Sequence, residues 1–335
     1  MSTTYQAFGL TLHANQPIPG LVPVTPRTGP GVHIDLVGCD RGKAPEAPAE
    51  LWYESPRDGG ANLLRVWKDS RNSGFRFLYG DGAAFLVDAA GGSVRATWPD
   101  TLTLEDIATY LLGPILGFVL RRRGVVCLHA SAIAIDDDCI AILAPPQRGK
   151  STTAAAFARL GYRILTDDIL ALVDLGEEFR VQPGHPHLRL WPQSVEALFG
   201  SADLLPRITP EHPSWDKRYL DLTGGRFQFQ SQPLPLAAIY IGERCEDSAT
   251  PRLEVLSGRE ALLTLISNTY SCQLLDKQMR AQEFDLLGRL LTRVALKRFK
   301  IRKGIHYLPS LCDLILDDCQ ASRKHTERAP GWLGP

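Results

Sequence analysis

The fold of this chain is decided by the stretch Cys139-Ile-Ala-Ile-Leu-Ala-Pro-Pro-Gln-Arg-Gly-Lys-Ser-Thr-Thr-Ala-Ala-Ala-Phe-Ala-Arg-Leu-Gly161. Cys139 to Leu143 is an apolar run of strand length. Ser151 to Leu160 is rich in alanine and is followed directly by Gly161, which is typical of a helix and its end. The order strand, loop, helix is the context that a phosphate-binding loop requires.

The loop itself matches most of the pattern G-x-x-x-x-G-K-[ST]. Gly149, Lys150 and Ser151 satisfy its second half. In such a loop, successive backbone N–H groups and the positive helix N-terminus cradle the phosphates, the lysine reaches the terminal ones, and the hydroxyl ligates Mg²⁺. The pattern therefore predicts ATP and Mg²⁺ as cofactors, with Lys150 and Ser151 as their side-chain ligands.

The first half of the loop departs from that pattern. Ala144 stands at the first glycine position, and it cannot take positive φ as cheaply as glycine does. Pro145 and Pro146 have no N–H, so donation to phosphate begins after them. The predicted nucleotide-binding residues are Gln147, Arg148, Gly149, Lys150, Ser151 and Thr152. The alternative is that Gly149 only permits a tight strand-to-helix turn and that Lys150 is solvated.

A pair of carboxylates, Asp167-Asp168, interrupts two strand-like runs after the helix. A carboxylate at the end of a strand beside a phosphate loop can hold Mg²⁺, and a second one can accept the proton of an attacking hydroxyl. We assign the metal to Asp167, together with Ser151, and the proton to Asp168. The alternative for such a dipeptide is a solvated turn.

His129 lies before the loop, in the strand-like segment Val125 to Ile135. A histidine in a strand is often a hydrogen-bonded core residue rather than a catalyst. Further along, Lys217 and Arg218 open the strand-like run Lys217 to Leu222. Basic side chains that neutralise developing charge contribute strongly to phosphoryl transfer, so both are candidate contacts to the phosphate or substrate, with a solvated loop edge as the alternative.

The ordered set of a histidine, a short hairpin, a phosphate loop, a helix and an Asp-Asp pair resembles the catalytic domain of the HPr kinase/phosphorylase family. The resemblance begins at Leu128-His-Ala-Ser-Ala-Ile-Ala-Ile135 and ends at Tyr162-Arg-Ile-Leu-Thr-Asp-Asp-Ile169. It implies a mixed-sheet P-loop domain that transfers the γ-phosphoryl group of ATP to a serine hydroxyl of a peptide or small protein. It also implies that His129 orients or tunes Asp168, and that the chain forms a homo-oligomer, as this family often does.

Within that family the chain is similar to the HPr-kinase-like proteins of ribosomal-peptide pathways, including lasso-peptide tailoring kinases. The Leu128-His-Ala-Ser131 block suggests this, as does Leu188-Arg-Leu-Trp-Pro192, which stands where the sugar-regulation kinases carry Glu-x-Arg-Gly. In the family that Glu helps to hold the metal, so its absence leaves ligation to Ser151 and Asp167. Two alternatives remain: a bifunctional kinase/phosphorylase, and a nucleotide-binding adaptor that has lost catalysis.

Composition sets the remaining bounds. The chain has 335 residues, 37 basic and 37 acidic side chains, and a hydrophobic share of 44%. This neutral balance argues against nucleic acid as a partner. The seven cysteines are scattered and odd in number, which suits reduced thiols rather than a disulfide frame. No signal peptide or membrane span is apparent, so we expect a cytoplasmic protein.

The predicted fold is α/β, with an HPr-kinase-like P-loop mixed-sheet domain preceded by a β-rich N-terminal region. Residues 1–100 carry short strand-like runs with a hairpin at Gly91-Gly92, which favours an antiparallel sheet. Residues 101–124 predict a linking helix that opens on a capping box at Thr103 and Asp106. Its terminal arginines, Arg121 to Arg123, are interpreted as a solvated C-terminus, with phosphate steering as the alternative. The P-loop domain spans 125–318, ending in a short helix to Leu316, and 319–335 are predicted to be a disordered tail.

Overall fold

The computed structural model of the chain describes residues 2–25, 31–38, 49–56, 64–69, 74–145, 148–212, 215–245, 252–302 and 304–328. Gln147, one of the predicted nucleotide-binding residues, lies outside these ranges. Within them, every helix is too short or too polar to cross a bilayer.

The N-terminal part of the described chain forms an eight-stranded sheet in the order β1-β2-β3-β8-β7-β6-β5-β4. Its strands are β1 (Thr3–Ala7), β2 (Leu10–Ala14), β3 (Val32–Gly38), β4 (Ala49–Glu54), β5 (Leu64–Asp69), β6 (Phe75–Tyr79), β7 (Ala84–Val87) and β8 (Ser93–Thr97). The expectation of an antiparallel sheet is wrong at β3, which runs parallel to both neighbours. A long connection, residues 15–31, precedes β3, and parallel pairing requires such a crossover.

The linking helix is broken in its middle. It comprises α1 (Leu104–Tyr110), a π-helical turn (Leu111–Ile115) and α2 (Leu116–Arg122). The predicted capping box forms, since Thr103 and Asp106 exchange both hydrogen bonds. The break is centred on Gly113, whose φ of −110° and ψ of −108° are not helical, directly before Pro114, which cannot donate a hydrogen bond.

A second, mixed sheet follows the linking helix. Its strands are β9 (Val126–Leu128), β10 (Ala130–Ile135), β11 (Asp138–Leu143), β12 (Ile164–Thr166), β13 (Leu170–Asp174), β14 (Phe179–Val181), β17 (Leu234–Cys245), β18 (Arg252–Leu256) and β19 (Ala295–Arg302). The described strands run β12-β10-β11-β17-β14-β13-β9, with β19 pairing to β17 and β18. β17 is parallel to β11 and β19, and the other pairs are antiparallel. A small two-stranded sheet, β15 (His187–Leu190) with β16 (Arg218–Asp221), lies apart from it.

Helices cover both faces of the mixed sheet. These are α3 (Lys150–Arg159), α4 (Pro192–Phe199), α5 (Gly258–Ser267), α6 (Lys277–Arg293) and α7 (Leu308–Arg328). Side chains of neighbouring strand residues point to opposite faces, so Tyr240 packs with α3, α4 and α7, whereas Ile239 packs with α5 and α6. The described chain is therefore a mixed α/β structure, as its sequence predicts.

The linking helix joins the two sheets through one continuous core. The ring of Phe118 meets Phe75 at 4.8 Å and Phe77 at 5.1 Å, both from β6. Ile169 and Tyr270, from the second half of the chain, belong to the same buried cluster. The linking helix thus packs between the N-terminal sheet and the phosphate-loop part of the chain.

Two predicted boundaries are wrong in the C-terminal part. The sequence predicts a helix from about Asp276 to Lys297, but that helix ends at Arg293, and β19 takes the following residues because they pair with β17 and β18. The last helix runs to Arg328 rather than ending at Leu316, so the predicted disordered tail begins too early. Buried Ile315 and half-buried Leu316 and Cys319 continue the apolar side of this helix. Residues 329–335 lie outside the described ranges.

Candidate active site

The loop between β11 and α3 leaves a helix N-terminus without a side-chain cap. Gly149 is the N-cap residue, with a φ of +95° that glycine adopts without steric cost. No side chain among the described residues accepts a hydrogen bond from the first turn of α3. Unsatisfied N–H groups and the positive end of the helix dipole at this position suit an anion.

Lys150 is the first residue of α3 and is 7% exposed. Its ammonium group donates to the carbonyl oxygen of Ala144 at 2.8 Å, which closes the loop on itself. Burial lowers the pKa of Lys150, although the charges of Asp168 and Asp167 act in the opposite direction. A carbonyl oxygen is a neutral acceptor. A phosphate at the loop would instead give the buried ammonium group an anionic partner.

Asp167 and Ser151 are brought together, as the predicted metal pair requires. Asp167 is 2% exposed, and its Oδ1 accepts hydrogen bonds from Ser151 Oγ at 3.0 Å and from Ser131 Oγ at 2.6 Å. The backbone N–H of Arg189 lies 3.4 Å from the other carboxylate oxygen. Ser131, which the sequence singled out only as part of a block, thus belongs to the site.

Asp168 turns the other way, because its φ of +70° places it in the left-handed region. A non-glycine residue there costs about 1 kcal/mol or more, and aspartate tolerates it better than most. His129 Nε2 lies 3.0 Å from Asp168 Oδ1, and the hydroxyl of Tyr270 donates to Oδ2 at 3.4 Å. The two adjacent carboxylates therefore contact different residues.

The environment of Asp168 keeps it ionised. Burial alone would raise the pKa of this carboxyl group, but the hydrogen bond and charge of His129, with Lys217 and Arg189, hold it well below its ordinary value. Burial beside Asp168 raises the pKa of Tyr270, so its hydroxyl remains a donor.

His129 does not lie within a strand, contrary to the sequence interpretation. The predicted segment Val125 to Ile135 is divided into β9 and β10, and His129 is the residue between them. β9 pairs with β13 and β10 pairs with β11, so the chain changes partners at His129. The backbone N–H of His129 donates to Asn268 O at 2.7 Å. The imidazole ring of His129 faces Asp168.

His129, Lys150, Ser151 and Asp168 line one cleft of about 840 Å³, whereas Asp167, Ser131 and Tyr270 are not part of its lining. The predicted residues in its lining are His129, Arg148, Gly149, Lys150, Ser151, Thr152, Asp168 and Lys217. Thr152 Oγ1 lies 2.9 Å from Ser194 Oγ of α4, and Lys217 Nζ lies 5.3 Å from the centre of the Trp191 ring. The volume is in the range of cofactor and substrate sites.

Arg189 is a cleft residue that the sequence interpretation missed. Leu188 and Leu190 are buried on one side of β15, so alternation turns His187 and Arg189 to the other side. This alternation in the sequence could have identified Arg189 as a residue of the cleft. The guanidinium of Arg189 has no hydrogen-bond or ion-pair partner among the described residues, and its charge acts on Asp168.

Arg218 is not brought to the cleft, in contrast to the prediction for it. It is buried, and its guanidinium bonds to Asp216 at 2.7 Å, to Ala202 O at 3.2 Å and to Asp203 at 3.4 Å. These contacts hold the loop before β16. Lys217 alone of the two remains a candidate contact.

The arginines at the end of the linking helix are also not in the cleft. Arg121 is buried and pairs with Glu283 at 2.5 Å, and Arg122 donates to Ala89 O. The interpretation of a solvated C-terminus is therefore wrong for both, because α6 and the N-terminal sheet cover this helix end.

The oxygen donors at Ser151 and Asp167 fit Mg²⁺. No cluster of three or more His, Cys, Asp or Glu side chains suited to a metal occurs in the described ranges. Mg²⁺ does not need such a cluster, because it usually takes one or two carboxylates and completes its shell with phosphate oxygens and water. A hydroxyl beside a buried carboxylate is a donor set of that kind.

Comparison with known proteins adds little to this geometry. No protein-family sequence model matches the chain, and no curated protein matches it. Among solved structures, a Hpr(Ser) kinase/phosphatase from Coxiella burnetii is 11% identical, with 59% of this chain and 98% of that chain covered and a TM-score of 0.34. At that TM-score the likeness carries no argument about fold or function.

Proposed function

We propose that the chain is an ATP-dependent kinase that transfers the γ-phosphoryl group to a serine hydroxyl of a peptide or small protein. The observation that carries the proposal is the pair of carboxylates beside the loop. Asp167 contacts Ser151 at 3.0 Å, and Asp168 contacts His129 at 3.0 Å. One carboxylate faces the phosphate loop and its neighbour faces a polar cleft. Phosphoryl transfer needs one carboxylate to hold the metal ion and another to orient the acceptor hydroxyl.

The nucleotide phosphates would lie at the N-terminus of α3. The N–H groups from Arg148 to Thr152 and the ammonium of Lys150 would hold them, with Gln147 as a further proposed donor. Lys150 would exchange its bond to Ala144 O for phosphate oxygens. Phe299, Ile305 and Leu308 give the same cleft an apolar part that suits a purine base.

Ser151 and Asp167 would hold Mg²⁺, which supplies positive charge to the β- and γ-phosphate oxygens when bound. Ser131 fixes Asp167 from the other side through its 2.6 Å hydrogen bond. Such support keeps a ligand carboxylate in one orientation. Arg189 and Lys217 add cationic charge to the same cleft, where it would stabilise the transferring group.

Asp168 would receive the acceptor hydroxyl. The bond between the γ-phosphorus and the bridging oxygen breaks, a new bond forms to the serine oxygen, and the hydroxyl proton passes to Asp168 and then to water. A carboxylate with a lowered pKa is a weak base, but little proton transfer is needed early in a loose transition state. Asp168 therefore acts mainly by orienting the hydroxyl, while His129 and Tyr270 fix its two oxygens.

A peptide acceptor is favoured by the side chains that line the cleft. Trp191 is 36% exposed at the cleft, and Lys217 lies over its ring, so an aromatic and cationic surface remains beside Asp168. Such a surface suits an extended segment. We extend the proposal to a ribosomally made precursor peptide, in the cytoplasm, with a homo-oligomer as the working assembly.

The experiment is intact-mass spectrometry of serine-containing peptides, including small peptides encoded beside the gene, after incubation with the protein, ATP and Mg²⁺. We expect a gain of one phosphate that requires the serine, and a loss of at least about a hundredfold in rate for Lys150→Met and for Asp168→Asn. Lys277→Met serves as the matched control, because Lys277 is exposed and lies outside the lining of the cleft.

Three other outcomes would redirect the proposal. If the wild-type chain binds ATP but transfers phosphate to no peptide, protein or water molecule, the result would support the adaptor. Release of pyrophosphate from a phosphopeptide and inorganic phosphate would show the bifunctional enzyme. Absence of ATP binding by the wild-type chain would overturn the nucleotide site itself.

A further inference from the structure

A second, smaller pocket of about 200 Å³ lies beside the cleft. Its walls come from the segment after β2, from the linking helix, from β15 and β16, and from the loop before β16. The residues that matter for its chemistry are Glu105, His187, Arg189 and Tyr219, with Ala108 as part of its apolar wall. Its size suits one amino-acid residue, either free or at the carboxyl end of a peptide.

Several polar side chains in this pocket have no hydrogen-bond partner within the described ranges, among them the 2% exposed His185, whose Nδ1 is buried without a partner. His187 is 5% exposed, and its ring forms no hydrogen bond with any described residue. The hydroxyl of Tyr219 and the guanidinium of Arg189 also form no hydrogen bond with any described residue. The Tyr219 ring lies 4.0 Å from the His187 ring. Buried polar groups normally have hydrogen-bond partners, so the buried His185 and His187 rings, beside the half-buried Tyr219 hydroxyl and Arg189 guanidinium, indicate a polar ligand.

We propose that this pocket binds a small carboxylate-bearing ligand, with the carboxylate held by Arg189, Tyr219 and His187. A guanidinium presents a planar pair of donors that matches a carboxylate, and the hydroxyl and imidazole can add one N–H or O–H each. One available cation suits one negative charge. Arg207, the other cation of the lining, is occupied by the carbonyl oxygens of Pro210, His212 and Trp215.

The protonation states agree with donors around an anion. Burial lowers the pKa of His187 to about 3, so its ring is neutral with one N–H. Burial, with the charge of Asp221, raises the pKa of Tyr219, so its hydroxyl keeps its proton.

The carboxylate can belong to a free amino acid or to a peptide, and Glu105 distinguishes these sources. Glu105 supplies a carboxylate to the same lining, which would pair with the ammonium group of a free amino acid. A peptide carboxylate has no such group nearby. The proposal therefore predicts that loss of the Glu105 charge weakens binding of a free amino acid and leaves binding of a peptide unchanged.

Arg189 connects the pocket to the catalytic cleft, because it lines both. Its Nη1 and Asp168 Oδ2 lie 3.7 Å and 4.0 Å from the same point, the position of a β-carbon on Gly113. A carboxylate bound to Arg189 would thus lie next to the charge that acts on Asp168. Binding in the pocket does not depend on the proposed kinase activity, but it would place a ligand beside its acceptor site.

The test is a titration followed by NMR of histidine ring carbons in the full-length protein, without ATP. The probes are L-serine, N-acetyl-Gly-Gly-Ser with a free carboxylate, and the same peptide amidated. We expect a saturable shift of the His187 signal with at least one of the two carboxylate probes and none with the amide. The signal is assigned by its absence in His187→Gln.

Three pocket variants and two control variants decide the location. Tyr219→Phe should weaken binding about fivefold, the effect of one hydrogen bond, whereas Tyr162→Phe should not. Ala108→Leu, which fills the pocket, should abolish the shift. Glu105→Gln should weaken L-serine but not the peptide, and Glu254→Gln, at a surface ion pair, should change neither.

Two results would overturn the proposal. One is the absence of saturation by either carboxylate probe up to about 10 mM, since a weaker site would contribute less than about 3 kcal/mol. The other is a shift that the amide produces equally, or that Tyr219→Phe and Ala108→Leu leave unchanged. Because no nucleotide is present, failure here and failure of the kinase assay are separate results.

Discussion

Gly117 of the linking helix lies directly against the ring of Tyr270. A β-carbon at Gly117 would come within 2.4 Å of Tyr270 Cε1, closer than real contacts of this kind. Tyr270 is 9% exposed and its backbone N–H donates to Cys127 O at 2.8 Å, so it has little room to move. Since its hydroxyl bonds to Asp168, the missing side chain of Gly117 helps to position a carboxylate on another part of the chain.

Gly117→Ala is therefore expected to destabilise the protein although alanine is the better helix former. The methyl group must displace a buried ring, and overpacking of this kind costs about 1–3 kcal/mol. Gly288, in α6, has no atom within 4 Å of its β-carbon position, so Gly288→Ala should instead stabilise by about 0.5–1 kcal/mol. Urea denaturation of the two variants measures both changes. Equal effects of the two substitutions would show that Tyr270 does not limit the space.

Asp168 should contribute stability that is lost in acid. Its pKa is held below the ordinary value in the folded protein, so the stabilisation is complete above the unfolded value of about 4 and is lost as pH falls through the folded value. Asp168→Asn should thus lower the melting temperature at neutral pH and flatten its decline below about pH 4. Melting curves across that range, with the exposed-site variant Asp313→Asn as control, measure the difference. Parallel curves for wild type and Asp168→Asn would contradict it.

Local sequence patterns predicted the parts of the site that are close in the chain. The strand, loop and helix around Lys150, the Asp167-Asp168 turn and the capping box at Thr103 follow from nearest neighbours, and each stands in the structure where the pattern put it. Backbone chemistry determines such motifs with little help from the rest of the fold.

Tyr270 was missed because it reaches the site through long-range packing. Tyr270 lies 102 positions from Asp168, and only the pairing of its segment with β9 brings the two together. The helix prediction up to Lys297 overlaps the start of β19, although Arg298 to Arg302 alternate charged and apolar residues, and sheet pairing on both sides decides the conformation. Two basic side chains of β19 are held in ion pairs. Lys297 pairs with Asp318 at 2.6 Å, and Lys300 pairs with Glu254 at 3.3 Å.

Asp167→Asn should remove the dependence of ATP binding on Mg²⁺. The amide oxygen can still accept from Ser131 and Ser151, so the fold and the loop are expected to persist while the negative charge is lost. Wild-type affinity for ATP should rise at least about tenfold when Mg²⁺ is added, equivalent to about 1.4 kcal/mol, and the variant should show almost no change. Isothermal titration with and without Mg²⁺ measures this. An undiminished Mg²⁺ effect in the variant would move the metal away from Asp167.

The buried pair of Arg121 and Glu283 should behave as one unit. Their side chains are 2% and 6% exposed and lie 2.5 Å apart, which ties the end of the linking helix to α6. Removing either partner alone, by Arg121→Met or Glu283→Leu, leaves an uncompensated buried charge and is expected to cost about 3–5 kcal/mol.

The double variant is expected to recover most of that loss, because two apolar side chains of similar size need no hydrogen-bond partners. Its free energy of unfolding, measured by urea denaturation beside the two single variants, gives the coupling directly. Losses that simply add would mean that each side chain acts through other neighbours. In that case the linking helix would be held by its apolar contacts, chiefly Phe118 against β6, and not by this ion pair.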